Sequence, residues 1–389
     1  MNIGLIGTGI VGSGVIHIDQ KNHDKLLISA KKPFKLHTLC DLDFSKSEYD
    51  LSPYVLTNSW RELVNNPDIN IVVELMGGEE PARTIIETTL NQGKHVVTAN
   101  KLVLAKYGKD LFALARQKGV HLLFEAAVGG AVPIIKLLRT TLLPNHIKGI
   151  YGIVNGTTNF ILTAMQNKGI DYADVLKEAQ QLGYAEADPT SDVGGFDSMY
   201  KLKVLSMVAF GVDVNIADIL VEGIADITAK DIAYCKDMGL VIKLLAIGQE
   251  RDGQLALRVT PVMLEKDHAL AAVNGVYNAI YVVGDVAQDI MVYGRGAGSV
   301  PTASSVWADI LDIINNNAYG VDALVSMTLR SLDTVMSEYY FRFQVKDRTG
   351  VLADIAGILA RHKISIKNAV QKGLGDDAEL VMITHTVSE

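Results

Sequence analysis

A strand, a glycine triplet and a helix follow one another at the start of this chain, and no other feature constrains the fold as much. Residues 2–6 form a short, mostly apolar run, and Gly7, Gly9 and Gly12 follow it in a G-x-G-x-x-G pattern. Apolar residues suited to a helix come next in 10–18. This order is typical of dinucleotide-binding folds, in which the helix N-terminus faces a pyrophosphate. A glycine-rich turn in another kind of α/β protein is the alternative.

Short apolar runs and helical stretches alternate through residues 1–130, which predicts a parallel sheet covered by helices on both faces. The runs that predict its further strands are residues 34–40, 70–75, 95–98 and 120–124. We therefore expect an α/β protein with a Rossmann-type doubly wound parallel sheet. Ligands of such a sheet gather at the carboxyl ends of its strands, where Gly77 and Lys101 follow two of these runs.

Two further units are predicted after the first domain. Residues 131–301 mix helical and strand patterns, and we expect an α+β domain for substrate binding and dimerisation. The apolar helical segment that starts at 302 is expected to pack back on the first domain, within residues 302–325. Residues 338–389 have the pattern of a strand, a turn, a helix and two strands, which predicts a small βαββ module.

The bulk composition excludes several classes of function. The 389 residues carry a formal net charge of −8, which argues against nucleic acid or an anionic membrane surface as the main partner. The longest uncharged run, residues 149–167, is too polar to span a bilayer. Cys40 and Cys235 lie far apart without a C-x-x-C pattern, which favours the reducing cytoplasm. The 9 histidines show no H-x-H spacing, so no transition-metal site is expected.

An acidic, glycine-rich segment ahead of a helix is the strongest candidate for chemistry. Glu186, Asp192 and Asp197 lie within residues 183–201, and Asp197 shares a helix face with Lys201 four positions later. A solvent-exposed pair would contribute only about 0.3–0.5 kcal/mol, and this is the alternative. The helix is apolar at most other positions, so a lysine on it should be paired or functional.

Three other polar segments have both a structural and a functional interpretation. Lys101 follows a strand and a Thr-Ala-Asn turn, so it either begins a solvent-exposed helix or faces the ligand crevice. The uncharged turn 155–159 is either a helix N-cap or a set of donors for a small polar substrate. The segment 125–133 is either a domain hinge or a source of carbonyl ligands for a hard cation.

Taken together, these segments resemble the homoserine dehydrogenase family over nearly the whole chain. The matching motifs are G-T-G-I-V-G at 7–12, E-L-M-G-G at 74–78, T-A-N-K at 98–101, E-A-A-V-G-G-A-V-P at 125–133, N-G-T-T-N at 155–159, G-Y-A-E-A-D-P at 183–189, D-V-G-G-F-D-S-M-Y-K at 192–201 and G-R-G-A-G-S-V-P-T-A-S at 294–304. The tail motif D-R-T-G-V-L-A at 347–353 resembles an ACT module, which commonly binds an amino acid.

The resemblance implies an oxidoreductase that interconverts L-homoserine and L-aspartate 4-semialdehyde with NAD or NADP, in threonine, methionine and isoleucine biosynthesis. It assigns catalysis to Lys201, Lys101 and Asp197. Contacts to the substrate are assigned to Glu186, Asp192, Tyr184, Gly156 and Thr157. Contacts to the cofactor are assigned to Gly7, Thr8, Gly9, Ile10, Val11, Gly12, Asp41, Gly77, Lys101 and Gly296. A loop for Na⁺ or another monovalent cation is matched by Glu125 and the backbone carbonyls of Val128, Gly130 and Val132.

The residue types suit this chemistry. A zwitterionic amino alcohol needs a carboxylate for its ammonium group, which Glu186 would supply. The alkoxide that develops during hydride transfer needs a cation or a proton donor, which Lys201 and Lys101 would supply. Two alternatives stay open: an enzyme of the same architecture acting on another small amino-acid-like aldehyde or ketone, and a non-catalytic amino-acid sensor.

The residues that end the second predicted strand bear on the choice of cofactor. Many relatives carry an arginine just before the acid at this point, where it can meet the 2′-phosphate of NADP, whereas this chain has Cys40 before Asp41. A carboxylate there can bond a ribose 2′-hydroxyl and repels a 2′-phosphate. We therefore predict that NAD is used at least as well as NADP.

The resemblance also implies regulation and assembly. In this family the ACT module is often linked to feedback by threonine. The tail ends at Glu389 after its third strand, without the last helix and strand of a βαββαβ unit, so the alternative is that it only adds to dimer contacts. A homodimer is the family expectation, and twofold dimers are the commonest oligomers.

Overall fold

A parallel sheet forms the amino-terminal domain in this computed structural model, which describes residues 1–373 and 378–388. Its strands are β1 (Asn2–Ile6), β2 (Lys35–Cys40), β3 (Val55–Thr57), β4 (Ile69–Glu74), β5 (His95–Thr98) and β6 (Leu122–Leu123). They lie in the order β3-β2-β1-β4-β5-β6, and all neighbouring pairs are parallel. The predicted Rossmann-type sheet is therefore confirmed.

Helices connect and cover these strands. They are α1 (Ile10–Ser29), α2 (Trp60–Asn65), α3 (Ala82–Asn91) and α4 (Lys101–Lys118). Both faces of β4 are buried, with Ile71 and Val73 in the main core and Val72 in a second apolar cluster. This burial explains why the strand is a continuous apolar run rather than an alternating one.

Two details of the sheet differ from the sequence-based expectation. The run 120–124 forms only the two-residue strand β6, because the chain turns into a 3₁₀ helix at Glu125–Ala127. The edge strand β3 was not expected, since three residues are too few to show a periodic pattern. It forms by pairing with β2 alone.

A second, mixed sheet forms the middle domain. The strands of this region are β7 (Ile147–Ile153), β8 (Val212–Asp213), β9 (Leu220–Val221), β10 (Leu240–Arg251), β11 (Gln254–Glu265), β12 (Tyr277–Gly284) and β13 (Asp289–Arg295). All except β8 join one sheet in the order β13-β12-β7-β10-β11-β9. Its pairs are antiparallel apart from β11 with β9. The strands β10 and β11 form a long hairpin that is paired from Leu240 with Glu265 to Arg251 with Gln254.

Helices cover one face of this second sheet. The helices of the region are α5 (Ile134–Lys136), α6 (Gly156–Lys168), α7 (Tyr172–Gln181), α8 (Thr190–Val193), α9 (Phe196–Phe210) and α10 (Ala229–Asp237), with a π-helical turn at Leu137–Thr141 and 3₁₀ turns at Ile216–Asp218 and Ala269–Ala272. Of these, α6, α9 and α10 pack on β10. The N-termini of α6, α8 and α9 carry the acidic and uncharged polar segments singled out in the sequence.

The helix that follows the second sheet returns to the first domain. This helix, α11 (Ser299–Ile314), packs along α1. The indole N–H of Trp307 donates to the carbonyl of Val15 at 3.0 Å. At the far end the side chain of Asn315 accepts from Lys31 N at 2.7 Å, so the two helices run parallel. Among the described residues, no helix has both the length and the apolar character needed to cross a membrane.

The tail forms a small α/β module. Its elements are β14 (Val325–Ser326), β15 (Met336–Ser337), β16 (Tyr340–Val345), α12 (Val351–Arg361), β17 (Ile366–Lys372), β18 (Ala378–Thr384) and β19 (Val387–Ser388), with a 3₁₀ turn at Leu332–Thr334. The strands β16, β18 and β17 form an antiparallel sheet in that order, and Leu359 of α12 packs on it. Residues 374–377 and 389 of the predicted module lie outside the described residues.

Charged side chains join this module to the middle domain. Arg342 of β16 binds Asp231 of α10 with Nε–Oδ1 at 2.7 Å and binds Glu379 of β18 at 3.1 Å. Tyr234 of α10 donates to Glu379 at 2.8 Å, and Lys230 lies 3.0 Å from the same carboxylate. The face of the tail sheet opposite α12 is therefore held on α10 by paired charges.

A stacked histidine pair at the amino ends of β5 and β6 makes stability depend on pH. The rings of His95 and His121 lie 5.3 Å apart, and His95 Nδ1 accepts from the His121 N–H at 3.1 Å. Burial, with a smaller contribution from the charges of His121 and Lys32, lowers the pKa of His95 to about 4. In the unfolded chain this pKa is about 6.5, so the unfolded state binds more protons between these values.

We therefore expect the free energy of unfolding to fall as the pH drops from about 6.5 toward 4, by about 1–2 kcal/mol from His95 after allowance for its partial exposure. Urea unfolding at a series of pH values measures this. In His95→Asn the amide oxygen can still accept from His121 N, but the group no longer titrates. The variant should lose less stability over the same interval, and an identical loss would contradict the assignment.

Candidate active site

The glycine triplet forms a tight turn whose outer side is open. Gly7 has φ 92°, and a Cβ there would lie 2.8 Å from the backbone carbonyl of Leu75. A Cβ at Gly12 would lie 2.0 Å from the Gly7 oxygen, so the helix could not pack so closely on the strand. A Cβ at Gly9 would meet nothing within 4 Å. Backbone packing thus requires two of these glycines, and the space beside the third is free for a ligand.

Two helix N-termini point toward this space. Gly14 of α1 lies so close to α11 that a Cβ would be 2.4 Å from the Ser299 oxygen. Neither α1 nor α11 has a side-chain N-cap or an acidic residue in its first turn. Ile10 is 75% exposed at the mouth of the turn and Val11 is half-buried. The free N–H groups and the positive ends of two parallel helix dipoles fit a pyrophosphate.

Asp41 lies beside the glycine turn and is held by it. The N–H and the hydroxyl of Thr8 both donate to Asp41 Oδ2, at 2.6 and 2.7 Å, and Leu42 N donates to Oδ1 at 2.7 Å. Partial burial opposes ionisation, but the hydrogen bonds from Thr8 hold the pKa of Asp41 below its usual value. A fixed negative charge therefore stands at the carboxyl end of β2.

The next two strand ends meet at the same edge of the sheet. Gly77 and Gly78 follow β4 with φ 75° and 73° and have open space where side chains would be. The Asn100 side chain donates to Gly78 O at 2.8 Å, and its oxygen caps α4 by accepting from Val103 N at 3.1 Å. Lys101 is the first residue of α4. The sequence-predicted positions Gly77 and Lys101 are thus brought to one crevice.

A carboxylate of the middle domain bridges two lysines across this crevice. Asp197 Oδ1 lies 3.2 Å from Lys101 Nζ, and Asp197 Oδ2 lies 2.6 Å from Lys201 Nζ. The Lys201 side chain is 12% exposed, and its ammonium also donates to Val154 O at 2.8 Å. Although burial raises it, the pKa of Asp197 is held well below its ordinary range by the charges of Lys201 and Lys101. The alternative interpretation of the sequence, a solvent-exposed pair of Asp197 and Lys201, is therefore wrong.

Asn155 connects two of the predicted acids; the sequence indicated the turn 155–159 as a whole but assigned no role to Asn155 itself. Its Nδ2 donates to Asp192 Oδ1 at 2.7 Å and to Asp197 Oδ2 at 2.9 Å, while its oxygen caps α6 by accepting from Thr158 N at 2.9 Å. Thr157 Oγ1 lies 3.1 Å from Asp192 Oδ2. An asparagine at an N-cap is common, so the sequence held no signal that its amide would organise two carboxylates.

The remaining predicted substrate contacts lie at the rim. Thr157 Oγ1 donates to the Tyr184 carbonyl at 2.6 Å, and the Tyr184 ring packs against Phe160 at 4.9 Å. A Cβ on Gly156 would lie 2.9 Å from Val276 O, so the start of α6 packs closely on that loop. The side chain of Glu186 is exposed, and the structure does not bring it against Asp192 or Lys201.

The four residues of the predicted cation loop are buried near the return helix. Both carboxylate oxygens of Glu125 accept backbone N–H groups, from Ile135 at 2.9 Å and from Lys136 at 2.7 Å. Asp309 of α11 accepts from Glu125 N at 2.8 Å, and burial raises the pKa of both carboxyls. The buried residues Val128, Gly130 and Val132 follow in the same segment.

Gly296, a predicted cofactor contact, packs against the cation-loop segment. A Cβ on Gly130 would lie 2.5 Å from Gly296 O, and a Cβ on Gly296 would overlap the side chain of Asn278. The carbonyl of Gly130 accepts from Ser305 of α11 at 2.7 Å. Gly296 precedes α11, so it sits where the cation-loop segment and the second helix N-terminus meet.

Comparison with known proteins points to one family. A family model described as homoserine dehydrogenase matches residues 133–311, a model of its NAD binding domain matches 7–125, and an ACT domain model matches 339–389. The homoserine dehydrogenase of Synechocystis sp. is 43% identical over 405 residues, covering 100% of this chain and 93% of that protein.

Solved structures of similar proteins agree in fold. A homoserine dehydrogenase from Thiobacillus denitrificans superposes with a TM-score of 0.95 at 41% identity, covering 100% of this chain and 92% of that one. A hyperthermophilic archaeal homoserine dehydrogenase in complex with NADPH superposes with a TM-score of 0.69 at 29% identity, covering 82% of this chain and 99% of that one.

Proposed function

Because this chain belongs to the homoserine dehydrogenase family, we propose that it interconverts L-homoserine and L-aspartate 4-semialdehyde where its first two domains meet. The enzyme is an oxidoreductase with an NAD-binding domain. The observation that supports this location is the bridge from Lys101 through Asp197 to Lys201. It places two ammonium groups from different domains beside the crevice that the glycine turn opens.

The proposed mechanism divides the work among these side chains. A nicotinamide cofactor held at the glycine turn would supply the hydride donor or acceptor for C4 of the substrate. In the direction of reduction, Lys201 donates a proton to the aldehyde oxygen, and Lys101 stabilises the negative charge that develops there. Asp197 keeps both ammonium groups in place. Asp192 and Glu186 bind the substrate ammonium.

A substrate panel tests the proposed reaction. Purified enzyme is assayed at 340 nm with L-homoserine and either cofactor, alongside serine, threonine and other small amino alcohols. We expect kcat/KM for homoserine to exceed that for the others by at least about a hundredfold, because the proposed contacts to the substrate ammonium and to the reacting oxygen fix the distance between these two groups. Faster turnover of another amino alcohol would favour the alternative substrate, and binding without turnover would favour a sensor.

The cofactor proposal rests on Asp41. Its ionised carboxylate, held by Thr8, would accept from a ribose 2′-hydroxyl and repel a 2′-phosphate, so NAD should be used at least as well as NADP. We expect Asp41→Ala to shift the ratio of kcat/KM for NADP over NAD upward by about tenfold or more. The matched control is Asp43→Ala, an exposed acid bonded to Ser45.

Steady-state kinetics with both cofactors measures this ratio. The Asp43→Ala control should leave it within about twofold, since that exposed carboxylate accepts from Ser45 N at 2.8 Å and not from Thr8. A wild-type preference for NADP of a hundredfold would refute the proposal. So would an Asp41→Ala variant whose ratio does not move.

We propose that Glu125 and the carbonyls of Val128, Gly130 and Val132 bind Na⁺ or a similar cation. Glu125 and Asp309 are both buried acids in one cluster, so a cation would offset their repulsion. Bound cation should raise the melting temperature, and it would brace the segment that meets Gly296. Melting curves in NaCl and in tetramethylammonium chloride at equal ionic strength test this, and coincident curves would count against the site.

We propose that the protein is a homodimer. Tyr151, Tyr281, Val262 and Leu264 are only half-buried on the face of the second sheet opposite α9, around a buried apolar cluster. Covering them with the same face of a second copy would remove them from water. Light scattering should give about twice the chain mass of 42.1 kDa. A monomer at micromolar concentration would exclude this assembly.

We propose that threonine regulates the enzyme through the ACT module. The module is tied to α10 through Arg342 and Asp231, and the first N–H of α10 donates to Asp171 at 3.2 Å, just before α7 leads to Tyr184. A conformational change in the module would thereby reach the segment that carries Tyr184. The coupling free energy between threonine binding and substrate binding would be about 1–3 kcal/mol. Kinetics with millimolar threonine tests it, and no response would leave the module a role in dimer contacts alone.

We place the enzyme in the cytoplasm. Cys40 and Cys235 are both buried free thiols, and burial raises the pKa of Cys40 to about 11 and of Cys235 to about 12. Neither thiol is part of a disulfide, which suits a reducing compartment.

A further inference from the structure

Glu74 is a buried carboxylate at the centre of the first sheet, and the mechanism above does not use it. It ends β4 and is 0% exposed. In the register of the sheet it pairs with Ile6, the residue before the glycine turn, and with Thr98, the last residue of β5. Glu74 therefore lies directly beneath both sides of the crevice.

The hydrogen bonds of Glu74 connect two segments of the crevice. Its Oε1 accepts from Met76 N at 2.8 Å, and its Oε2 accepts from the Thr98 hydroxyl at 2.6 Å. The nearby Gly77 N–H and Asn100 side chain also favour the ionised form of this carboxyl and so oppose the rise of its pKa on burial. One group thus gathers donors from the loop after β4 and from the turn after β5.

Asn100 and Thr98 extend this connection to the catalytic lysine. Asn100 N donates to Thr98 Oγ1 at 3.0 Å, and the Asn100 side chain holds Gly78 O while it caps the helix that begins at Lys101. On the other side, Gly7 packs against the carbonyl of Leu75. The separation between the Gly77 loop and the Lys101 backbone is therefore set through Glu74.

Two acceptor oxygens are needed here for a physical reason. Burying a carboxylate is unfavourable unless hydrogen bonds compensate, and burial raises the pKa of Glu74 above its ordinary value. A glutamine of the same shape could not replace it, because its NH₂ group would face either the Met76 N–H or the Thr98 hydroxyl, which are both donors. Only an acceptor with two oxygens satisfies all of the donors that converge on this point.

We propose that Glu74 is a positioning residue for hydride transfer, which holds the Gly77 loop and Lys101 at the separation that the reaction requires. The inference rests on the proposed function, because it takes Lys101 as a catalytic group and Gly77 as a cofactor contact. A displacement of about 1 Å at such a site lowers the rate by about a hundredfold. Binding of homoserine, which depends on the middle domain, should change little.

The experiment compares Glu74→Gln with Thr89→Val in the full-length enzyme. Thr89 is a matched control: it is also 0% exposed in the first domain, and its hydroxyl donates to Ile85 O within α3, away from the crevice. The readouts are kcat, KM for homoserine, the dissociation constant of the reduced cofactor by fluorescence, the melting temperature, and the kinetic isotope effect with homoserine deuterated at C4.

In Glu74→Gln we expect kcat to fall about tenfold to a hundredfold. The isotope effect should rise, because hydride transfer becomes rate-limiting. The KM for homoserine should stay within about threefold. Thr89→Val should lower the melting temperature while kcat and the isotope effect stay at the wild-type values. A Glu74→Gln enzyme with wild-type kcat and isotope effect would overturn the proposal, and so would equal losses of kcat in both variants.

A second pair of variants covers the case in which Glu74→Gln does not fold. Thr98→Val removes one donor to the carboxylate, and Thr98→Ser keeps it. We expect the valine variant to lower kcat severalfold with a raised isotope effect, and the serine variant to recover most of the loss. Equal behaviour of the two would contradict the role of Glu74. If the wild-type enzyme turned over no homoserine, the proposed function would be wrong independently of the role of Glu74. The dissociation constant of the reduced cofactor would then still show whether Glu74→Gln displaces the Gly77 loop.

Discussion

Replacing Lys201 with alanine should lower kcat by about a thousandfold or more while cofactor affinity stays within about threefold. The Lys201 ammonium is 12% exposed, lies 2.6 Å from Asp197 and donates to Val154 O, so it is held at the crevice rather than free in solvent. Loss of a proton donor and of a cation beside a developing alkoxide removes both acid catalysis and charge stabilisation. Apart from Gly296, the expected cofactor contacts lie in the first domain, so cofactor affinity should change little.

Lys203 provides the control for this prediction. It lies on the same helix, is 1% exposed and pairs with Asp213, away from Lys101. Lys203→Met should lower the melting temperature but keep kcat within about threefold, since it breaks a buried ion pair outside the crevice. Stopped-flow and steady-state rates with homoserine measure both variants. Near-normal kcat in Lys201→Ala would reject Lys201 as the proton donor.

Replacing Asp197 with asparagine should lower kcat by about a hundredfold and destabilise the enzyme by about 3 kcal/mol. The carboxylate is 8% exposed and bridges Lys101 and Lys201, so its loss leaves two ammonium groups facing each other without a counter-charge. Asn155 would also lose one charged acceptor. Both lysines would then move from the positions that the reaction needs.

The pH dependence of stability distinguishes this cause from a packing defect. Although burial raises it, the pKa of Asp197 in the folded enzyme is held well below the unfolded value of about 3.9 by the charges of Lys201 and Lys101. Its contribution is therefore complete at neutral pH and is lost as the pH falls below about 4. The difference in unfolding free energy between wild type and Asp197→Asn should shrink over that range. A constant difference would indicate lost packing instead of lost charge pairing.

Much of the first domain could be predicted from local pattern, and its exceptions have physical reasons. Gly7 and Gly12 sit where a Cβ would overlap backbone, so their spacing after a strand carries structural information by itself. The edge strand β3 was missed because three residues show no periodicity. The run 120–124 forms only a two-residue strand, because the chain turns at Glu125, which the apolar content of the run does not reveal.

The sequence indicated which residue types form the candidate site, but not which of these residues contact each other. Asp197 and Lys201 share a helix face, so the sequence indicated their pairing. Asn155 looked like any N-cap, and only the fold shows its amide between Asp192 and Asp197. Glu74 was part of a matched motif, yet its complete burial follows from the strands on either side.

The amino-acid sequence alone determined the features that depend on short-range sterics and helix or strand periodicity: the glycine turn at 7–12, the parallel sheet and the helix that carries Lys201. The tertiary structure alone decided which charges meet. Lys101 and Asp197 belong to different domains, and their 3.2 Å contact exists because α4 and α9 pack together. Coulomb energies and burial depend on such distances, which no local pattern encodes.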